Sequence, residues 1–376
     1  MSVAAGLVDT TFRICYNFGR RIDLSESDPM PKRLRVSYSA VQDWRKCQQL
    51  YYYRHVENLR PKVRQAAPEL GTIIHDYFAR YYEGLLRERN LSPKELHNRS
   101  LSFTLNKAEP QIKSLAALAD GLGAEDEAKK LLAIPKTAKR LLQAYFRVRG
   151  ADDAKRHEVL AVEHKFELLV GSVNGKRAVL PGQIDLVTRS EGHVWLWEHK
   201  TTGSVPSQGR RFRDLQTLIY KVAVEELLSL ELTGVVWNYV RTTPPKAPRL
   251  LQSGVLSTAK SQTTTVDLYR SAIRKNGLDT YKYDVFLRQI EHREREMMFP
   301  RHTLPLVQAE DVLLRDYIAS VEQIQTAASI VDFVPVRTID AQCDWCGFVK
   351  LCQAAIAGGD LDELRQRHFV ESEQKG

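Results

Sequence analysis

Apolar and polar side chains alternate most clearly in residues 180–201, a pattern that predicts two β-strands joined by a tight turn. The turn is expected at Glu191-Gly192, because glycine accepts the backbone conformation that a two-residue hairpin requires. Apolar residues occupy much of both strands: Leu186, Val187, Val194, Trp195, Leu196 and Trp197. We therefore expect the hairpin to be largely buried.

Segments on either side of the hairpin follow regular periods of their own. In chain order they are a helix at 70–86, a strand at 157–170, a helix at 212–228 and a strand at 233–240. An earlier helix is expected to begin with Ser37 or Ser39 as its N-cap and to continue through residues 48–54. This order predicts an α/β fold in which helices flank a mixed central sheet.

The remaining segments suggest how the domain is organised. We expect an irregular lead-in at 1–35, one domain at 36–355 with its core at 157–245, helical insertions at about 87–150 and 250–330, and a tail at 356–376. Basic residues are frequent in the second insertion, where they indicate either solvated helix faces or a DNA contact.

Charge and hydropathy narrow the class of protein. The chain has 376 residues, 43% of them hydrophobic, and a net charge of +9, which suits a polyanionic partner such as a nucleic acid. No apolar run approaches the ~20 residues that a membrane span needs. Residues 1–11 lack the basic region and apolar stretch of a secretory signal. We expect a soluble, cytoplasmic protein without a membrane partner.

The hairpin also carries charged residues at informative positions. With the turn at Glu191-Gly192, Asp185 lies opposite Glu198 on one face, and Lys200 shares that face while His199 points the other way. Two carboxylates so close repel each other unless a cation lies between them, and Mg²⁺ is commonly held by such a pair. The alternative is an ordinary salt bridge between Lys200 and one carboxylate. The apolar strands argue against it, because buried charges need partners.

Five cysteines in a chain without a signal peptide argue against a disulfide framework. Cys343, Cys346 and Cys352 lie within ten residues, and Cys47 is the candidate fourth ligand. Zinc and iron–sulfur clusters both accept four cysteines, but one distant cysteine joined to a compact triplet favours an iron–sulfur cluster, with zinc as the alternative. Cys15 is expected to be a free thiol.

Two further helices carry polar residues at suggestive positions. His75 lies at the edge of the apolar face of the helix at 70–86, where it is either a satisfied core residue or a ligand. Gln216 and Tyr220 are four residues apart on the helix at 212–228 and therefore project together.

Taken together, these residues resemble the RecB-like branch of the PD-(D/E)XK nuclease superfamily. The matching motifs are Gly71-Thr-Ile-Ile-His75, Gly182-Gln-Ile-Asp185, Glu198-His-Lys200 and Gln216-Thr-Leu-Ile-Tyr220. The four cysteines are similar to those of AddB nuclease domains and CRISPR adaptation nucleases. The segment at 250–330 is longer than a minimal member needs, and the chain has no Walker A motif that would supply a helicase motor.

The resemblance implies a restriction-endonuclease-like core and a metal-dependent DNA exonuclease that acts on single strands or DNA ends in replication, recombination or repair. In this reading His75, Asp185, Glu198 and the backbone carbonyl of His199 would hold Mg²⁺ or Mn²⁺, and Lys200 would act on the attacking water or the developing charge. Gln216 and Tyr220 would contact DNA. A 4Fe–4S cluster would join the two ends of the domain, and a helicase or recombinase would be a partner. The alternative is a non-catalytic recombination accessory protein that retains the fold.

Overall fold

The computed structural model describes residues 33–212, 214–305 and 310–372, so most of the predicted lead-in, including Cys15, lies outside the described residues. The main sheet contains six described strands: β1 (Arg33–Arg35), β3 (Glu158–Val173), β4 (Lys176–Ser190), β5 (His193–Thr202), β6 (Gly234–Arg241) and β7 (Arg301–Pro305). Strands β3, β4 and β5 are antiparallel neighbours, β5 and β6 are parallel, and β7 is antiparallel to β6. The predicted mixed sheet is therefore confirmed.

The hairpin between β4 and β5 turns where the sequence predicts. Glu191 and Gly192 have φ angles of 51° and 81°, the left-handed values that a type I′ hairpin turn needs at both central residues. Paired positions run from Ser190↔His193 to Leu186↔Trp197. Continuing this register by one residue sets Asp185 opposite Glu198.

Strand β4 has two different neighbours along one edge. On this edge, β1 pairs with residues 177–179 of β4 and β5 pairs with residues 186–190. The opposite edge of β4 is paired with β3 over most of its length. Among the described strands, none pairs with residues 180–185 on the edge that β1 and β5 share. β4 and β5 therefore separate next to Asp185 and Glu198, which leaves a gap in the sheet at that point.

Helices cover both faces of the sheet. They are α1 (Tyr38–Lys46), α2 (Gln48–Tyr51), α3 (Ala66–Arg87), α4 (Pro93–Gly121), α5 (Glu125–Tyr145), α6 (Ala151–Arg156), α7 (Gln208–Phe212), α8 (Leu215–Leu228), α9 (Val266–Lys275), α10 (Asp284–Met298), α11 (Glu310–Ser329), α12 (Val349–Ala357) and α13 (Leu361–His368). Short π-helical turns lie at Tyr52–Val56 and Phe146–Gly150, and 3₁₀ turns at Thr280–Tyr283 and Ala341–Trp345.

Two cores hold these layers together. On one face α3, α4 and α5 bury an aromatic cluster in which Phe78 packs against Tyr145, with ring centroids 4.7 Å apart, and Trp197 of β5 belongs to the same cluster. On the other face α1, α8 and α11 share a core with Leu196 and Trp237. Neighbouring positions of β5 thus face opposite layers, as the alternation of a strand requires.

The two ends of the described chain meet in a third core. Tyr53 stacks on Phe348, with 5.5 Å between centroids, and Phe348 stacks on Phe369 at 5.4 Å. Two short strands, β2 (Leu59–Pro61) and β8 (Phe369–Glu371), pair antiparallel beside this core. The segment after Cys47 is therefore packed against the segment that contains the other three cysteines.

Several predicted elements differ from the observed ones. Ser37 caps the first helix, as predicted, by accepting a hydrogen bond from the Ala40 N–H at 3.2 Å, but that helix stops at Lys46 because Cys47 is extended, with φ −165°. The predicted helix at 212–228 is divided into α7 and α8, since Asp214 caps the second one. The insertion at 250–330 also contains strand β7, and residues 33–35 of the predicted irregular lead-in form β1.

Candidate active site

Three side chains with metal-ligating atoms meet at the gap between β4 and β5. The donor atoms of His75, Glu163 and Asp185 all lie within 4.8 Å of one another, and His75 Nδ1 is 3.7 Å from Asp185 Oδ1. The other carboxylate oxygen of Asp185 accepts a hydrogen bond from the His199 backbone N–H at 2.8 Å. Asp185 is therefore held by β5 while it faces the histidine of α3.

Glu163 was not among the residues that the sequence singled out. The pairs Val162↔Leu186 and His164↔Ile184 place it across from Asp185. Its φ of 47° lies in the left-handed region, which residues other than glycine seldom adopt within a strand. Its carboxylate accepts a hydrogen bond from the Gln183 side chain. Simple alternation along β3 cannot indicate this local reversal of the backbone, so Glu163 carries no signal in the sequence pattern.

Glu198 and Lys200 lie on the neighbouring strand and contact each other. Glu198 is 1% exposed, and its Oε2 accepts a hydrogen bond from Lys200 Nζ at 2.9 Å. Its second oxygen, Oε1, is buried without a hydrogen-bond partner in the described part of the chain. Lys200 also donates to Gln216 Oε1 on α8 at 3.1 Å. Lys200 thus connects the predicted metal-binding carboxylate with the predicted DNA-contacting helix.

Burial dominates the electrostatics of the site. Burial raises the pKa of Asp185 to about 6 and the pKa of Glu198 to about 7. Burial, followed by the charge of Asp185, raises the pKa of Glu163 to about 7. Burial lowers the pKa of Lys200, but the carboxylates of Glu198 and Asp214 outweigh it and keep the pKa above its usual value. A divalent cation fits His75, Glu163 and Asp185, because their donor atoms converge and it would offset the repulsion between the carboxylates; Glu198 is not among the donors that lie within 4.8 Å of one another.

His199 contributes its backbone to the site and its side chain to the core, as the strand alternation predicts. Its ring packs between Phe78 and Tyr82, with centroids 4.3 and 5.7 Å away. Its backbone carbonyl lies within hydrogen-bonding reach of the His75 ring, and burial lowers the pKa of His75. Neutral His75 and this carbonyl are therefore both placed beside Asp185.

Gln216 and Tyr220 lie together on α8 but differ in exposure. Gln216 reaches Lys200, whereas Tyr220 is 7% exposed and packs edge-on against Phe166, with ring centroids 5.0 Å apart. The Tyr220 hydroxyl hydrogen-bonds the Gln216 side chain and the backbone of Gln183. Tyr220 is therefore packed in the core, where it orients Gln216, and it does not reach the open side of the site.

Two motif glycines allow close approaches that hold the site together. A Cβ at Gly182 would lie 2.3 Å from the Phe166 ring, which covers this position of the neighbouring strand. A Cβ at Gly71 would lie 3.0 Å from Thr201 Oγ1, so glycine lets α3 approach β5 one turn before His75. Both glycines in the motifs thus have a steric reason.

The four cysteines line a single cavity of about 430 Å³ between the N-terminal and C-terminal segments. Burial raises the pKa of Cys346, and the Cys47 and Cys343 thiols raise it further. Arg337 lines the same cavity. Thiolates on one zinc ion lie within about 4 Å of one another, because each is roughly 2.3 Å from the metal. Among the described cysteines, no three sulfur atoms lie within 4.8 Å of one another, so the thiols as placed do not form a compact ligand group.

In the described residues, no helix is both long enough and apolar enough to cross a membrane.

No curated protein matches the sequence. A solved structure described as "Crystal structure of SSO0001" aligns with 14% identity and a TM-score of 0.28, over 65% of this chain and 82% of that chain. A family model does match: residues 35–353 fit the model of the PD-(D/E)XK nuclease superfamily. The chain therefore belongs to that superfamily.

Proposed function

We propose that this member of the PD-(D/E)XK nuclease superfamily is a DNA exonuclease of the RecB-like branch that depends on Mg²⁺ or Mn²⁺. The observation that carries the proposal is the buried Glu198 carboxylate, which has one oxygen on Lys200 and the other without a partner among the described residues. A buried carboxylate left in this state is costly unless a cation completes it.

The ligands that we propose for the cation are His75, Glu163, Asp185, Glu198 and the carbonyl of His199. When bound, the cation would act as a Lewis acid that polarises the phosphate and lowers the pKa of a bound water. This proposal adds Glu163 to the ligands expected from the sequence, on the strength of its position within 4.8 Å of the His75 and Asp185 donor atoms.

Lys200 has the position and charge to act on the reacting phosphate. Its amine is held charged by Glu198 and is fixed between Glu198 and Gln216. A fixed ammonium group beside the phosphate stabilises charge that develops during hydrolysis and orients the attacking water. Gln216 contacts the strand directly in this proposal, and Tyr220 acts through its hydrogen bond to Gln216.

The shape of the site favours single-stranded DNA or DNA ends as the substrate. The side chains of His75 and Lys200 are only 35% and 32% exposed, so a phosphate must enter a recess to reach them. An unpaired strand enters such a recess more easily than an intact duplex. The net charge of +9 supplies non-specific, salt-dependent affinity. A helicase or recombinase that exposes single strands is the kind of partner this activity requires.

We further propose that Cys47, Cys343, Cys346 and Cys352 hold a 4Fe–4S cluster that joins the two ends of the domain at 36–355. All four cysteines line one cavity, and Arg54 and Arg337 on its wall offset the charge of thiolates. Cys346→Ser should give a colourless protein without iron and with a lower melting temperature. A variant with full thermal stability would contradict the structural role, and bound zinc in place of iron would contradict the cluster.

The nuclease proposal is tested with single-stranded DNA labelled at its 5′ or 3′ end, incubated with Mg²⁺, Mn²⁺ or EDTA. We expect metal-dependent degradation by the wild type, with label release that reveals polarity, and its loss in Asp185→Ala. Absence of cleavage by the iron-loaded wild type would instead favour a non-catalytic DNA-binding accessory protein.

A further inference from the structure

The helical insertion contacts α3 directly beside the candidate active site. Asp76, the residue after His75, accepts hydrogen bonds from Thr104 and Lys107 of α4 at 2.8 and 2.9 Å. It also pairs with Arg80 of its own helix at 2.9 Å. Its charge is near enough to Glu163 to raise the pKa of that carboxyl group. The insertion therefore brings Lys107 to the border of the site, where Arg80 of α3 already lies.

Arg80 in turn lies on an exposed aromatic ring of α4. Its guanidinium carbon is 3.7 Å from the centroid of the Phe103 ring, although Phe103 remains 52% exposed. One face of the ring is thus covered by a guanidinium that Asp76 holds in place, while much of the ring is open to solvent. Phe103 and Lys107 are four residues apart on α4, so they project from the same side of the helix.

A single exposed apolar residue is common on protein surfaces and needs no explanation. Phe103 differs because a fixed cation orients its ring and because the group lies next to the turn that carries His75. Arg80 and Lys107 together carry two positive charges against the single negative charge of Asp76. The patch thus combines an open aromatic face with surplus positive charge, the combination by which proteins bind single-stranded nucleic acids.

We propose that Phe103, backed by Arg80, is a stacking platform for an unpaired base of the DNA strand and that Lys107 pairs with a phosphate next to that base. The inference deepens the proposed nuclease function, on which it rests. Stacking on an aromatic ring is tolerant of sequence, because every base has a π-face. The platform would hold the strand beside His75 while the adjacent phosphate enters the recess.

The test is the affinity of the full-length protein for a fluorescent single-stranded oligonucleotide in EDTA, which prevents metal-dependent cleavage. Phe103→Ala should weaken binding roughly five-fold or more, a loss typical of one stacked base. Phe103→Trp should retain binding. Tyr281→Ala is the matched control, because Tyr281 is 86% exposed on a different part of the surface, and it should leave binding unchanged.

An abasic series separates stacking from a general loss of affinity. In a series of oligonucleotides that each lack one base, loss of the base at one particular position should weaken binding by the wild type. Loss of the same base should not change binding by Phe103→Ala. Lys107→Gln should lower the slope of log affinity against log salt by about 1, whereas Phe103→Ala should leave the slope unchanged.

Equal binding by Phe103→Ala and wild type, or the absence of any such abasic position, would overturn the platform. Cleavage by the wild type in Mg²⁺ would then still stand as evidence for the nuclease. A wild type that neither binds nor cleaves single strands would overturn both proposals.

Discussion

Arg301 anchors a buried polar network behind the candidate active site, and its removal should destabilise the protein strongly. The guanidinium donates to both oxygens of Asp153 at 2.7 and 2.6 Å, to the Tyr145 hydroxyl at 2.7 Å and to Asn238 Oδ1 at 2.9 Å. The side chains of Arg301 and Asp153 are only 14% and 3% exposed. Asn238 Nδ2 lies 3.0 Å from Nδ1 of His199, whose backbone holds the predicted metal ligand.

The structure sets the size of the effect. Removing one partner of a buried ion pair costs about 3–5 kcal/mol, because it leaves the other charge uncompensated. Asp153 would keep hydrogen bonds from Tyr82 at 3.0 Å and Tyr145 at 3.2 Å. We therefore expect Arg301→Met to lower the free energy of unfolding by about 3 kcal/mol, near the lower end of that range.

The assay is urea unfolding of wild type, Arg301→Met, Asp153→Asn and the double variant. The double variant should lose at least about 1 kcal/mol less than the sum of the single variants, because it leaves no charge unpaired. Arg87→Met is the control. Arg87 forms a salt bridge with Glu83 in which the two side chains are 72% and 50% exposed, respectively, and such surface pairs contribute about 0–1 kcal/mol. A loss below about 1 kcal/mol in Arg301→Met, or additive losses in the cycle, would refute the reasoning.

Three further predictions concern the site and its supports. Glu163→Gln should weaken Mg²⁺ binding in calorimetry at least about tenfold, and unchanged affinity would remove Glu163 from the ligand set. Gly182→Ala should cost about 1–3 kcal/mol of unfolding free energy, because its Cβ would lie 2.3 Å from the Phe166 ring; Gly121→Ala, which meets nothing within 4 Å, should cost none. Burial raises the pKa of Glu163 and Glu198 to about 7 in the fold, so the metal-free fold binds the extra protons. In EDTA, the melting temperature of the wild type relative to that of Glu163→Gln should therefore fall as pH rises from about 4.5 to 7, and a rise in this difference would contradict the shift assigned to Glu163.

The parts of the fold that the sequence predicts best are those governed by local patterns. The hairpin and its turn at Glu191-Gly192 follow from alternation and turn chemistry, and the resulting register sets Asp185 opposite Glu198. The long helix that carries His75 follows from its apolar period. Local rules therefore bring the two strands of the site together before any tertiary contact is considered.

Features that depend on distant contacts were missed. Strand β7 is short and finds its place only by pairing with β6, so its five residues read as part of a helical insertion. Glu163 reaches the site through a left-handed backbone that the surrounding strands impose. The platform at Phe103 depends on the packing of α4 against α3, which periodicity alone does not specify.

The most direct test of the nuclease account compares Lys200→Ala with the wild type on one end-labelled single-stranded oligonucleotide. Lys200 contacts Glu198 and Gln216 at 2.9 and 3.1 Å, so its removal takes a fixed positive charge from the reacting centre. Single-turnover cleavage in Mg²⁺ should fall about 10²–10³-fold or more, while binding of the same strand changes little. Lys129→Ala, which removes a 72% exposed lysine, should change neither. Equal loss of binding and cleavage in Lys200→Ala, or cleavage at the wild-type rate, would contradict the account.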